Sequence, residues 1–164
     1  MISMMRIDDR LIHGQVAVMW SKQLGVSRII VASDKIAANE VQSNALKMAA
    51  PAGIKAFVLP IKKVLDLVND PRAKNMKILI VSNNPSDIHE VLNGLKEKPL
   101  LNIANYGRIG GGALDQKEKI TETVYVTNED RKIFSEIFDM GYDFEYQPLP
   151  SDKKESLKKL LGGK

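Results

Sequence analysis

The chain has 164 residues, of which 44% are hydrophobic and 27% are charged, and its formal net charge is +4. This length and mixed composition are typical of one globular domain over residues 1–164, and they exclude a disordered or collagen-like chain. The sequence has no cysteine and two histidines, His13 and His89. Disulfides, iron–sulfur clusters, thiolate zinc sites and histidine-rich metal sites are therefore excluded, and we expect no metal and no cofactor.

No stretch of the sequence approaches the roughly 18 consecutive apolar residues of a membrane span, and the first ten residues lack the pattern of a signal peptide. We therefore expect a cytoplasmic protein. The lysines of residues 151–164 belong to a short amphipathic segment, and we expect them on its solvated face. Aromatic residues make up 5% of the chain and do not cluster with these lysines, so we expect no nucleic-acid partner.

Short apolar runs alternate with segments of helical period through the first two thirds of the chain. The runs predict five strands, at residues 2–7, 28–33, 54–60, 77–82 and 100–105. Helices are predicted between them, at residues 14–24, 39–50, 61–70 and 85–95, with Gly25 closing the first. Near-continuous apolar runs such as residues 78–81 indicate parallel strands that are covered on both faces.

The last third of the chain has a different pattern. Residues 120–127 alternate, residues 128–141 read as a helix with Asn128 as its N-cap and Gly141 as its stop, and residues 142–150 are extended. The predicted fold is α/β, an open, doubly wound, mostly parallel sheet of six or seven strands flanked by helices. Such sheets bind ligands beyond the carboxyl ends of their strands. The segments expected there are residues 8–13, 33–35, 60, 82–84 and 105–112.

The segment RIDDRLIHGQV, residues 6–16, carries the strongest chemical signal. Neutral imidazole is a nucleophile near physiological pH, so His13 on an exposed loop is suited to take a phosphoryl group and pass it on. Because a helix is predicted to start directly after His13, amides around Gly14 and Gln15 would point at such a group. Arg10 offers a planar fork of donors for phosphate oxygens.

The two aspartates of this segment need roles away from the phosphoryl group, since both would repel it. We interpret Asp8 as the partner of the far ring nitrogen of His13 or as the residue that holds Arg10, and Asp9 as a residue that braces or caps the loop. On the residues alone, a purely structural interpretation is equally supported: His13 would cap the helix beside a salt-bridged turn.

Other candidates are weaker. Asp34 ends the second strand, and a cap or turn role is as well supported as participation beside His13. The glycines at positions 107, 110, 111 and 112 do not have the spacing of a nucleotide-binding fingerprint, so a mobile loop bordering the site is predicted. His89 is predicted on the surface of its helix, and Trp20 in the core.

The string RIDDRLIHGQV resembles the signature of the IIB subunit in the mannose/fructose/sorbose family of the bacterial phosphoenolpyruvate-dependent sugar phosphotransferase system (PTS). Trp20 and four further segments extend the resemblance over nearly the whole chain: residues 29–34, 49–55, 102–109 and 129–134. The chain departs from the family pattern at Ala104 and at Asn39 and Glu40, which leaves the motif around His13 intact.

The resemblance implies a protein-Npi-phosphohistidine–sugar phosphotransferase. A phosphorylated IIA protein or domain would donate to His13 at Nδ1, and Arg10 would assist transfer to a sugar entering through membrane IIC and IID subunits. The chain would then associate peripherally with those subunits, and a homo-oligomer is compatible with this function. Two alternatives stay open: a non-enzymatic regulatory domain that binds a nucleotide or metabolite, and an aspartyl-phosphate receiver. Ser82 stands where a receiver would need its acceptor aspartate.

Overall fold

The computed structural model describes residues 1–109 and 116–162. Its main sheet has seven strands: β1 (Ile2–Asp8), β2 (Arg28–Ala32), β3 (Lys55–Leu59), β4 (Ile78–Ser82), β5 (Leu101–Asn105), β8 (Phe144–Tyr146) and β9 (Glu155–Ser156). Their order is β3-β2-β4-β1-β5-β8-β9, and every pairing is parallel except that between β8 and β9. The predicted mostly parallel α/β sheet of six or seven strands is confirmed.

Seven α-helices accompany the sheet in the described residues: α1 (Gly14–Leu24), α2 (Asp34–Ala37), α3 (Glu40–Met48), α4 (Ile61–Val68), α5 (Pro85–Gly94), α6 (Asn128–Asp139) and α7 (Leu157–Leu160). Among these residues no helix has the length and apolarity needed to cross a membrane. The four helices predicted between the first five strands are present, with ends shifted by at most two residues. The short helix α2 was not predicted, and it begins where Ser33 caps the amide of Ile36.

Two apolar layers cover the sheet, one on each face. Trp20 of α1 packs with Met4 and Leu79 on one face. Ile88 of α5 and Phe134 of α6 pack with Met5 on the other. The helices that follow the adjacent strands β1 and β4 therefore go to opposite faces, which is the arrangement that opens a crevice at the carboxyl ends of the strands.

Two expectations for the last third of the chain are wrong. Residues 120–127 do not supply a strand of the main sheet: only β7 (Tyr125–Val126) forms there, and it pairs with β6 (Glu118–Lys119) in a separate antiparallel ribbon. The N-cap of α6 is Thr127, whose side chain accepts from the amide of Asp130 while the Asp130 carboxylate accepts from the amide of Thr127. Asn128 is thus the first helical residue, because this reciprocal capping box satisfies two amides at once.

The end of α6 and the C-terminal segment follow the predictions. Gly141, directly after the last cap residue of α6, has a φ of +95°. This is the left-handed conformation in which glycine ends helices. In α7 the side chain of Leu157 is buried, and Leu161 is buried just beyond it. Lys158 and Lys159 are exposed, so these lysines do lie on a solvated helix face.

Candidate functional site

The carboxyl end of β1 lies in the middle of the sheet, between β4 and β5. The chain leaves this end through a tight turn over residues 8–13, which we call the His13 turn, and enters α1 at Gly14. Leu11 in this turn has a φ of +61°, the only positive φ of a non-glycine residue in the described chain. Its buried side chain, in the apolar layer beneath α1, offsets the strain of that conformation.

Asp8 is the fixed centre of the His13 turn. It is fully buried, and its carboxylate is held from several directions. Oδ2 accepts a hydrogen bond from Arg6 Nη2 at 3.0 Å and lies 3.1 Å from His13 Nε2. Oδ1 accepts from the backbone amide of Arg10 at 3.0 Å. A carboxylate held in this way has little freedom to move, so it orients the imidazole rather than following it.

The other ring nitrogen of His13, Nδ1, belongs to a partly exposed side chain. This side chain is 22% exposed, and the backbone of His13 is extended at the N-cap of α1 without a capping hydrogen bond from the side chain. Nδ1 makes no hydrogen bond to any residue in the described ranges. The ionised carboxylate at Nε2 favours the tautomer with hydrogen on Nε2, which leaves the Nδ1 lone pair free for a bond to phosphorus.

The start of α1 adds a polar environment that suits a phosphoryl group. The first intrahelical bond that involves His13 runs from the amide of Ala17 to the His13 carbonyl. The amides of Gly14, Gln15 and Val16 have no partner within a helix that begins here. Gly14 and Gln15 are exposed, so these amides are placed where an anion on His13 would be stabilised by the positive helix end.

Asp9 and Arg10 line a cavity beside the His13 turn. The Arg10 side chain is exposed and makes no polar contact within residues 1–109 and 116–162. Asp9 Oδ2 accepts from the amides of Arg108 and Ile109 at 3.3 and 3.4 Å. Burial raises the pKa of the Asp9 carboxyl, and these two amides oppose that rise. Asp9 thereby braces the loop after β5, which is the geometry that the bracing interpretation requires.

The remaining candidates lie apart from His13. Asp34 Oδ1 accepts from the amide of Ile61 at 2.8 Å, so it caps α4 and makes no contact with His13 in the described structure. His89 Nδ1 lies 3.6 Å from Glu136 Oε2, and its side chain is partly exposed. Trp20 is buried in the core as predicted. Of the glycine-rich loop, Gly107 contacts the β7 segment closely, while Gly110, Gly111 and Gly112 lie outside the described residues.

Arg6 is the site residue that the sequence interpretation missed. It is 3% exposed and joins Asp8 from two positions earlier on the same strand face. A signal was present in the sequence, because an arginine inside the apolar run of β1 has to be paired if that strand is buried. Roles were predicted only for the residues that follow Arg6 in the segment RIDDRLIHGQV.

Comparison with known proteins decides the family. The family model for the PTS system sorbose subfamily IIB component matches residues 2–164. The chain belongs to this family of IIB components. A probable phosphotransferase enzyme IIB component of Streptococcus pyogenes is 35% identical, and the match covers 98% of this chain and 99% of that protein. The mannose-specific EIIAB component of Escherichia coli is 34% identical, but this IIB chain spans only 48% of its length.

Solved structures give the same answer. The IIB domain of the sorbose permease from Klebsiella pneumoniae superposes with a TM-score of 0.90 at 28% identity, with 99% of this chain and 96% of that chain covered. A manxB structure from Thermoanaerobacter tengcongensis gives a TM-score of 0.86 at 27% identity, with 98% and 95% covered. The IIB chain is therefore a phosphotransferase component of PTS sugar uptake, as the resemblance predicted. Family membership implies IIA, IIC and IID partners and a sugar, and it favours this function over a regulatory or receiver domain.

Proposed function

We propose that His13 is the residue that carries the phosphoryl group, and that it does so through Nδ1. The observation that carries the proposal is the contact between His13 Nε2 and the buried Asp8 Oδ2 at 3.1 Å. This contact orients the ring and leaves Nδ1 as the exposed nucleophile. The second histidine, His89, has a carboxylate neighbour on the protein surface, but it lies in the middle of α5 (Pro85–Gly94) and not at the start of a helix.

The transfer then proceeds in two steps. The Nδ1 lone pair attacks the phosphorus of a phosphohistidine on the IIA partner, and the electrons of the broken P–N bond return to the IIA imidazole. The His13 ring gains positive charge as its P–N bond forms, and the Asp8 carboxylate stabilises that charge. In the second step a sugar hydroxyl attacks phosphorus, the P–Nδ1 bond breaks, and the hydroxyl proton is lost to solvent or to a base of the acceptor complex.

Arg10 is assigned to the moving phosphoryl group. Its guanidinium is exposed and free of other polar partners in the described chain. The backbone amide of Arg10 donates to Asp8 Oδ1, so the backbone is fixed while the side chain is not. A planar fork with this freedom is suited to hold two phosphate oxygens as charge spreads over them in transfer. Asp8 completes the catalytic set as the residue that positions His13, and Gly14 and Gln15 supply amides to the bound phosphoryl group.

The finer assignments of partner and place follow from this site. We place the IIA-binding face around the His13 turn, because the donor phosphohistidine has to come within in-line distance of Nδ1. The chain is assigned to the cytoplasm as one domain, associated peripherally with the IIC and IID subunits. Relatives are described as specific for mannose, fructose and sorbose. A hexose or amino sugar selected by the membrane subunits is therefore the proposed substrate.

Phosphoryl transfer from IIA tests the proposal directly. Wild type, His13→Ala and His89→Ala are incubated with phosphoenolpyruvate, the upstream phosphate carriers and IIA, and intact mass counts the phosphoryl groups. Wild type and His89→Ala are expected to gain one group, and His13→Ala none. If His13→Ala gains phosphate at the normal rate while His89→Ala does not, His13 is not the carrier.

A further inference from the structure

The buried guanidinium of Arg6 lies directly behind the His13 turn. Nη2 donates to Asp8 Oδ2 at 3.0 Å, and Nη1 donates to Asn102 Oδ1 at 2.7 Å. The same group donates to the main-chain carbonyls of Pro148 at 3.1 Å and Gln147 at 3.4 Å. Its carbon lies 5.4 Å from the centre of the Trp20 ring. Four acceptors and an aromatic face thus hold one cation in the interior.

Asp8 Oδ2 is shared between Arg6 and His13, and this sharing has an electrostatic consequence. Burial lowers the pKa of the Arg6 guanidinium, while Asp8 raises it. Without Arg6, the fully buried Asp8 carboxylate would face two outcomes. It would either take up a proton itself, because burial disfavours the charged form, or draw a proton onto the adjacent imidazole. Both outcomes remove the neutral Nε2–H form of His13 on which phosphoryl acceptance depends.

We propose that Arg6 is a positioning residue for phosphoryl transfer: it keeps Asp8 ionised and its charge balanced, so that His13 stays neutral with its hydrogen on Nε2. This proposal rests on the assignment of His13 as the carrier. Arg6 touches neither His13 nor the phosphoryl group, and it acts through the carboxylate.

The same contacts make the chain between β8 and β9 part of the site. The carbonyl of Pro148 accepts from both Arg6 and Trp20 Nε1, the latter at 2.9 Å. The carbonyl of Gln147 accepts from Arg6 and from Asn102 Nδ2 at 3.1 Å. The carbonyls of Gln147 and Pro148, more than 130 residues from Arg6 in sequence, therefore fix its guanidinium. Without these bonds, buried donors and acceptors on both sides would be left unpaired.

Few charged groups surround the Asp8–His13 pair, which makes the effect measurable. Arg6 comes from β1, Asp9 and Arg10 follow Asp8 in the His13 turn, and Arg108 of the loop after β5 lines the same cavity as Asp9 and Arg10. The first turn of α1 contains no acidic residue, and β5 presents the neutral Asn105, whose Nδ2 lies 3.4 Å from Asp8 Oδ1. Replacing Arg6 thus removes the one buried cation that contacts Asp8, among the described residues, and leaves the exposed charges in place.

The test compares wild type with Arg6→Met, which keeps an unbranched stem without charge, and with Arg6→Lys, which keeps the charge without the fork. Ring ¹⁵N shifts at pH 7.5 report the tautomer and protonation of His13 without any partner. The Nε2–H neutral form is expected to dominate in wild type, to be lost in Arg6→Met and to be partly retained in Arg6→Lys. Acceptance of phosphate from IIA should fall on the order of 10-fold or more in Arg6→Met, by analogy with outer partners of metal-bound histidines, and recover in part with lysine.

Circular dichroism and thermal unfolding identify variants that have lost the fold. A folded Arg6→Met with the wild-type ring form and wild-type acceptance overturns the proposal. If Arg6→Met does not fold, the ring ¹⁵N spectrum of wild-type His13 is the test. A neutral ring with its hydrogen on Nδ1 instead of Nε2 also overturns the proposal. The assignment of His13 as the carrier can fail independently of this proposal. In that case His13→Ala would still accept phosphate, while the ring spectra of the Arg6 variants would be as expected.

Discussion

In the proposed mechanism, two arginines in opposite environments assist the same histidine. Arg6 is 3% exposed and has every hydrogen bond directed at fixed acceptors, whereas the side chain of Arg10 is exposed and has no polar partner in the described residues. A fixed cation suits the constant task of balancing Asp8. A free one suits a group that has to follow the phosphoryl oxygens as they move from one molecule to another.

Replacement of Arg10 by lysine should separate acceptance from donation. Arg10→Lys keeps the charge but loses the fork that holds two phosphate oxygens during transfer to a neutral sugar hydroxyl. Acceptance should suffer less, because IIA and the amides near Gly14 already position the group. Sugar phosphorylation should fall on the order of 10²-fold, as on removal of a preorganised transition-state donor. Membrane vesicles with IIC and IID, scored for protein phosphate and sugar phosphate, measure both steps.

Arg28→Lys is the matched control for this experiment. Arg28 begins β2 at the opposite end of the sheet and contacts Ser27, so neither step should change. Sugar phosphorylation at the wild-type rate by Arg10→Lys would remove Arg10 from the mechanism.

The residues of the candidate site that the sequence predicted lie close together along the chain, and the one that it missed, Arg6, depends on the sheet. Asp8, Arg10 and His13 fall within six positions, so one motif reveals them. Arg6 acquires its role because β1 is central and because Asn102 and Pro148 come next to it from distant strands and loops. Asp34 shows the converse. It follows the end of β2, which suggested a place in the site, but β4 lies between β2 and β1, the strand that leads to His13, and Asp34 bonds to the amide of Ile61 instead.

At the scale of elements, helix ends were predicted well where a single residue decides them. Gly25 and Gly141, which were predicted to end their helices, both adopt positive φ there. The start of α6 was placed one residue late because Thr127 and Asn128 are both good caps. Only the reciprocal bond with Asp130, three residues after Thr127, selects between them.

The capping box of α6 predicts a difference between neighbouring substitutions. Thr127→Ala removes the side-chain acceptor for the amide of Asp130 and should lower the free energy of unfolding by about 1 kcal/mol. Asn128→Ala, at an exposed first position of the same helix, should change it by less than about 0.5 kcal/mol. Urea unfolding followed by circular dichroism measures both. The reverse ranking would return the N-cap to Asn128.

The short strands of the last third were not predictable from local pattern. β8 and β9 have three and two residues, too few for a period to stand out. Residues 120–127 alternate as a strand should, yet β8 takes the place next to β5 in the sheet. Residues 120–127 form only a single parallel bridge, between Val124 and Tyr106 just after β5, and the two-residue pairing of β7 with β6. Competition between distant segments for one sheet edge decides such pairings, and no single segment contains that information.

On the scale of the whole molecule, two groups of exposed basic residues lie apart from each other. Arg10 and Arg108 are exposed beside the His13 turn and line one cavity of about 220 Å³ together with Asp9, Asn105 and Ile109. The exposed lysines of α7 lie instead at the β8–β9 edge of the sheet. The net charge of +4 therefore does not describe the surface at which IIA would bind. Of these two groups, only Arg10 and Arg108 adjoin the proposed carrier, His13.

This separation predicts how charge reversal affects the encounter with phosphorylated IIA. Arg108→Glu places a negative charge beside the position where the incoming phosphoryl group must arrive, so acceptance at low salt should slow about 5-fold or more. Lys158→Glu, an equally large charge change on α7, should leave the rate unchanged. Near 0.5 M salt the difference should shrink, because screening acts over only a few ångströms there. Rapid-quench measurement of phosphate transfer, at subsaturating IIA and at both salt concentrations, gives the rates. Equal slowing by both substitutions would show that net charge matters instead of the His13 face, and slowing by Lys158→Glu alone would place the partner on the C-terminal helix.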